Sequence, residues 1–234
     1  MPSWAHTKPR NTRGFLVLVW LILYNGMHTL KAGIKNIIFD LGGVILNLSV
    51  ERTHQAFADL SGLTLPEIKS RVHHGPFFHD YERGLITDLE FRNHLRETLQ
   101  VKVSDQELDK AWNAMLLDIP QERFALLEQL KETYRVFLLS NTNEIHRQCF
   151  NSIVQQTSGK PNIDHYFHQA YFSHVLNLSK PDVAIYQHVL REQNLLPSET
   201  VFLDDNQDNL AGAAKAGLHT FYVQQPNQIF EFFA

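Results

Sequence analysis

Asp40 lies in the run Phe39-Asp40-Leu41-Gly42-Gly43-Val44, immediately after a short apolar stretch. A carboxylate is ionised at neutral pH, and one that attacks phosphorus divides a hydrolysis into two easier steps through an acyl phosphate. The adjoining glycines let backbone approach a phosphate and its metal closely. Alone, an acid in this place is as often a cap or turn residue. A second run, Val201-Phe202-Leu203-Asp204-Asp205-Asn206, carries two adjacent carboxylates after apolar residues. They repel one another and resist desolvation, so they require a compensating cation. Mg2+, a hard ion with oxygen ligands in octahedral geometry, meets that need while bridging to phosphate. The alternative is a pair of helix-capping acids.

Two further segments complete the set. In Ser140-Asn141-Thr142-Asn143 a hydroxyl and backbone N–H groups precede a helical pattern, where they either hold a phosphoryl oxygen or cap the helix. In Ser179-Lys180-Pro181 the proline is expected to start a helix and present Lys180 at its mouth. There the ammonium would neutralise charge shared by Asp40 and a phosphate; otherwise it is a solvated surface lysine. Asp40, Ser140, Lys180 and Asp204-Asp205 together make a phosphoryl-transfer site, which none of them makes singly.

Elements that would position these residues are legible around them. Apolar runs at Asn36–Phe39, Tyr134–Leu139, Ala170–Phe172, Thr200–Leu203 and Leu218–Val223 read as buried strands, and helical patterns at 122–131, 144–154, 183–193 and 206–215 alternate with them. The alternation implies an α/β fold with a doubly wound parallel sheet, in which ligands sit beyond the carboxyl ends of the strands. Residues 51–118 break the pattern as consecutive helices: Glu51–Leu60, Leu65–Val72, Phe77–Arg83, Thr87–Leu99 and Asp105–Leu117. Thr87 with Glu90, and Ser104 with Glu107, have capping-box spacing. The expected organisation is therefore a core over 35–50 and 119–234 with an inserted all-helical cap over 51–118.

The order Asp40, Ser140, Lys180, Asp204-Asp205, each after a strand pattern, resembles the four motifs of the haloacid dehalogenase superfamily from Lys35 to the end of the chain. The resemblance implies Asp40 as nucleophile and metal ligand, Ser140 as donor to the phosphoryl group and Lys180 as charge stabiliser. It implies Asp205 as a direct ligand to Mg2+ and Asp204 as a ligand directly or through water. Phosphatases of this kind usually carry a second Asp two residues after the nucleophile as general acid and base; this chain has Gly42, whose carbonyl still offers a metal ligand. The Asp-Leu-Gly opening, with Phe78-His79 through Glu82-Arg83-Gly84 and Asp204 through Asn209, is similar to bacterial sugar-1-phosphate phosphatases related to α-D-glucose-1-phosphate phosphatase. An anomeric oxygen is a better leaving group than an ordinary alcohol and depends less on protonation.

Selectivity is expected from the cap, because the core residues address the phosphate. Phe77, Phe78, His79, Tyr81, Glu82 and Arg83 combine aromatic faces with polar tips that suit a sugar ring, or else pack the aromatics into the cap interior. Substrate contacts are expected from Asn141, His79, Glu82 and Arg83. The partner implied is a small phosphorylated metabolite, preferably a sugar 1-phosphate. Two other functions share these features: a metal-independent 2-haloacid dehalogenase, against which the acidic pair speaks, and a degenerate binding module, for which Gly42 speaks.

Composition agrees. The chain has 234 residues, 44% hydrophobic and 20% charged, with a net charge of −4 and no long basic run, which argues against a nucleic-acid partner. Cys149 is the single cysteine, so no internal disulfide forms; a cytoplasmic location and a small buried hydrophobe are expected. His73-His74 and His165 with His168 lack a ligand set for a histidine metal site. Phe15–Tyr24, behind Lys8, Arg10 and Arg13, resembles a signal segment. As a helix it spans about 15 Å against roughly 30 Å of hydrocarbon, so no stable membrane association is expected. Residues 1–34 are read as an upstream extension before the working protein.

Overall fold

The computed structural model describes residues 33–72 and 76–234. Phe15–Tyr24 and His73-His74 lie outside these residues. Five strands, β1 (Asn36–Phe39), β2 (Arg135–Ser140), β3 (Gln169–Phe172), β4 (Thr200–Asp204) and β5 (His219–Tyr222), form one sheet of order β3-β2-β1-β4-β5 in which every pairing is parallel. The central strands are apolar between their ends because both faces are covered. Ile37 and Phe39, Val136 and Leu138, and Val201 and Leu203 face one apolar layer; Ile38, Phe137, Leu139 and Phe202 face the other. Side chains alternate across a strand, so consecutive apolar residues fill two cores at once. With β1 at the centre, Asp40, Ser140 and Asp204 fall at the carboxyl ends of three adjacent strands.

Between β1 and β2 the chain makes α1 (Val50–Ser61), α2 (Leu65–Val72), α3 (Pro76–Glu82), α4 (Asp88–Leu99) and α5 (Asp105–Trp112). Both predicted capping boxes are present: Thr87 caps α4 with Glu90, and Ser104 caps α5 with Glu107. The helices enclose their own apolar cluster, built on Phe57, Ile68, Phe91, Leu95 and Leu108. The aromatics of α3 belong to it: Tyr81 stacks on Phe91 at 4.0 Å and Phe78 approaches Trp112 at 5.5 Å. Packing, rather than sugar stacking, is what these rings do.

The helix expected over Asp105–Leu117 stops at Trp112 and gives way to a 3-10 turn at Asn113–Met115. Tertiary pairing overrides helical periodicity here. Leu116 bridges Leu48 in antiparallel fashion, Ser49 N donates to Met115 O at 2.9 Å and Leu117 N to Asn47 O at 3.0 Å. The insertion thus leaves and re-enters the core on one short two-stranded ribbon. The remaining helices are α6 (Gln121–Lys131), α7 (Glu144–Ser158), α8 (Ser173–Leu176), α9 (Val183–Glu192), α10 (Gln207–Lys215) and α11 (Gln228–Phe232). Cys149 is half-buried on α7 rather than enclosed. Among the described residues, no helix is long and apolar enough to cross a membrane.

The insertion is also stitched to the start of α7. Trp112 Nε1 donates to Asn143 Oδ1 at 3.4 Å, and His146 stacks on Trp112 at 4.5 Å with Nδ1 2.8 Å from Asn113 Oδ1. Burial holds the His146 imidazole down at about 3, against an ordinary 6.5. The unfolded chain therefore takes up a proton below pH 6.5 that the folded state refuses, and this share of stability is lost as pH falls from 6.5 toward 3. His146→Gln is expected to flatten the decline of Tm between roughly pH 6.5 and 4.5. A decline as steep as that of the parent protein would contradict a neutral buried ring.

Candidate active site

Each predicted residue of the core is set by the strand before it. Asp40 follows β1, and its N–H donates to Leu203 O at 2.8 Å, which ties it to the end of β4. The turn after it is closed by Ile45 N and Leu46 N on Leu41 O and by Gly43 N on Leu46 O. Gly42 sits within this turn, bridged to Leu46. Arg123 of α6, unremarked in the sequence, is buried and donates to Ile45 O at 2.8 Å, supporting the same turn from below.

Lys180 is the electrostatic centre. Its side chain is 1% exposed, and Nζ donates to Asp40 Oδ1 and to Asp204 Oδ2, each at 2.7 Å. Pro181 does not begin a helix as the sequence suggested: the Lys180–Pro181 peptide is cis and α9 starts at Val183. Lys180 is placed instead by Asn141, whose Oδ1 accepts from Lys180 N and whose Nδ2 donates to Lys180 O, both at 2.9 Å. The Asn141 side chain is thereby engaged with main chain rather than free to reach a substrate. Ser140 is buried, and its hydroxyl makes only a long 3.4 Å contact with Asn141 O.

Asp204 is fully enclosed and fully engaged. Besides Lys180 it accepts from Asn206 N at 2.7 Å and from Asn209 Nδ2 at 3.1 and 3.0 Å. Asn209 escaped the sequence reading as a site residue; its signal is an amide at the start of α10, five residues beyond the first acid. Asp205 is more open. Oxygens of Asp40, Asp204 and Asp205 all lie within 4.8 Å of one another.

Three carboxylates against one ammonium leave an excess of negative charge in a largely buried space. Burial pushes the Asp40 carboxyl up to about 7, against the pull of Lys180 and with the push of Asp204 and Asp205. Burial and Asp204 raise Asp205 as well. A divalent cation relieves both shifts, and an all-oxygen donor set is what Mg2+ requires. Asp40 and Asp205, with Asp204 directly or through water, would hold it; when bound it supplies a positive field to the phosphoryl oxygens.

Gly43 sets the clearance for Asp205. Its φ is +71°, a left-handed conformation, and a Cβ there would fall inside the Asp205 carboxylate. Gly43→Ala is expected to displace that carboxylate and weaken Mg2+ binding by at least about 10-fold to 100-fold, the range found when groups orienting a metal ligand are lost. Calorimetric titration with Mg2+ checks this, and unchanged affinity would show that Asp205 is free to move.

The cap residues divide. His79 is exposed on α3, and Arg83 turns to the core, with Nη2 3.4 Å from Asn177 O. Glu82 is half-buried, with burial raising its carboxyl and the Lys180 charge lowering it. Ser173, also missed in the sequence, is buried after β3; its Oγ accepts from Thr142 N at 2.9 Å and donates to Glu82 O at 2.6 Å.

Residues 34–217 match the family model described as haloacid dehalogenase-like hydrolase. The chain is 30% identical over 188 residues to D-ribitol-5-phosphate phosphatase of Bacteroides thetaiotaomicron, covering 80% of this chain and 91% of that protein. A phosphatase of Mycobacterium tuberculosis is 24% identical over 83% of this chain and 89% of its own. Among solved structures, a haloacid dehalogenase family enzyme of B. thetaiotaomicron in complex with magnesium and inorganic phosphate superposes with a TM-score of 0.73 and 36% identity, covering 81% of this chain and 94% of that one. With the strand-end carboxylates and buried lysine above, these likenesses establish that the chain belongs to the haloacid dehalogenase-like hydrolases.

Proposed function

We propose that this protein is a magnesium-dependent phosphatase of small polyhydroxylated phosphate esters, sugar phosphates foremost, acting through an acyl phosphate formed on Asp40. In this reading residues 35–50 and 119–234 are the catalytic core, and 51–118 are the cap that encloses the leaving group. The observation that carries it is the meeting of Asp40, Asp204 and Asp205 around Lys180 at adjacent strand ends. Asp40 Oδ attacks phosphorus, Lys180 offsets charge on the transferring group, as Mg2+ held by the carboxylates would also do, and the Ser140 hydroxyl with the Asn141 N–H holds a phosphoryl oxygen. Gly42 would offer its carbonyl to Mg2+, and His79, Glu82 and Arg83 of the cap are assigned to the leaving group. The single cysteine and net charge of −4 accord with a cytoplasmic enzyme that has no nucleic-acid partner.

The leaving group divides two readings. Without an acid at Gly42, a sugar 1-phosphate is favoured, because its anomeric oxygen departs with less help. The name of the B. thetaiotaomicron relative favours the phosphate of a primary alcohol instead. A panel of phosphorylated metabolites, run with Mg2+ and with excess chelator, tests both. Turnover is expected only with Mg2+, and about 10-fold or more faster on a sugar 1-phosphate than on its 6-phosphate isomer. Equal rates on the isomers would remove the anomeric preference. Turnover of a 2-haloacid in chelator would replace the phosphatase reading altogether.

A further inference from the structure

An alkoxide leaving from phosphorus needs a proton, and the turn after Asp40 has none to give. Leu41, Gly42 and Gly43 carry no ionisable side chain. The Lys180 ammonium is locked between two carboxylates. A donor must therefore come from outside that turn.

The end of α3 is fixed against the phosphate loop by main-chain contacts. Ser173 Oγ donates to Glu82 O at 2.6 Å, lies 3.1 Å from Thr142 O and accepts from Thr142 N, two residues from Ser140. Asn177 Nδ2 donates to Arg83 O at 2.8 Å. Gly84 has φ +65°, and a Cβ there would meet the carbonyl of His174. Residues 82–84 are therefore seated on the core with little freedom. Of the polar groups from His79 to Arg83 other than Glu82, Tyr81 Oη donates to Asp88, Arg83 reaches Asn177, Asp80 is half-buried and His79 is exposed. The Glu82 carboxylate makes no hydrogen bond or ion pair among the described residues, and the charge acting on it is that of Lys180.

We infer that Glu82, seated by the Ser173 contact, transfers the proton for the reaction: it protonates the leaving oxygen and then deprotonates the attacking water. This rests on the phosphatase reading above and deepens it. In the first step the Asp40 Oδ–P bond forms, the P–O bond to the alcohol breaks, and the Glu82 carboxylic acid gives its proton to that oxygen. In the second, water oxygen bonds to phosphorus, the Asp40 Oδ–P bond breaks, and the water's proton returns to Glu82. Burial raises the Glu82 carboxyl against the opposing pull of Lys180, the direction that favours its holding a proton.

The test varies the leaving group. Glu82→Gln keeps the shape of the side chain and removes the exchangeable proton. With an alkyl phosphate such as a sugar-alcohol phosphate, kcat is expected to fall by about 10²- to 10³-fold. With 4-nitrophenyl phosphate, whose leaving group departs unprotonated, the fall is expected to stay under about 10-fold. Ser173→Ala should show the same contrast more weakly, since it loosens the seat and leaves the carboxyl. Equal losses on both esters, or a change confined to KM, would overturn the inference and leave Glu82 a substrate contact. Absence of Mg2+-stimulated turnover of either ester by the parent protein would instead reject the phosphatase reading itself.

Discussion

Asp40→Asn is expected to lower phosphatase turnover by about 10⁴-fold or more, because an amide cannot take the phosphoryl group. Folding should not suffer. The Asp40 carboxyl is pushed up to about 7 by burial, so between its ordinary 3.8 and that value the folded state binds a proton that the unfolded state has lost. Stability of the metal-free protein falls as pH rises through that window, and a neutral amide removes the decline. Thermal denaturation in chelator at pH 7.5 should place Asp40→Asn at or above the Tm of the parent protein. A variant that was both inactive and clearly less stable would assign Asp40 to the fold rather than to the chemistry.

Lys180→Met is expected to fail in the opposite manner. It removes the ammonium 2.7 Å from both Asp40 and Asp204 and leaves two buried carboxylates facing one another. Breaking a buried pair from one side costs about 3–5 kcal/mol, a fall in Tm of roughly 10 °C for a domain of this size. Activity should drop by at least about 10²-fold with the loss of a charge aimed at the transferring group. Added Mg2+ should restore part of the Tm, because a bound cation supplies some of the missing charge and binding favours the folded state. Equal melting of variant and parent protein in chelator would mean that the lysine is not the counter-ion of the cluster.

These two variants bear on residues that the sequence marks well. Asp40, Ser140 and Asp204 are legible because each ends or directly follows an apolar strand, and a parallel sheet delivers the ends of neighbouring strands to one place. What stays hidden is whatever depends on a contact between distant segments. The clasp of Asn141 on the Lys180 main chain spans 39 residues, and the bond from Ser173 to Glu82 spans 91. Neither has a local pattern. Asn209 and Arg123 look like ordinary helix residues until their partners are known. The end of α5 was misread for a related reason: Met115, Leu116 and Leu117 continue a helical pattern, but pairing with Asn47, Leu48 and Ser49 claims them. The α3 aromatics were ambiguous because a ring that suits a sugar also suits a core.

The ribbon that joins positions 47–49 to 115–118 has a consequence for how the molecule can vary. Exit and return lie side by side, so the loop of helices hangs from the sheet like a module on a stem, and its length weighs little on the strands beneath. A change among the helices above the stem leaves the strand ends that carry Asp40, Ser140 and Asp204 where they are. Any replacement of α1 to α5 must rebuild both the α3 seat on Ser173 and the stitch of Trp112 and Asn113 to α7.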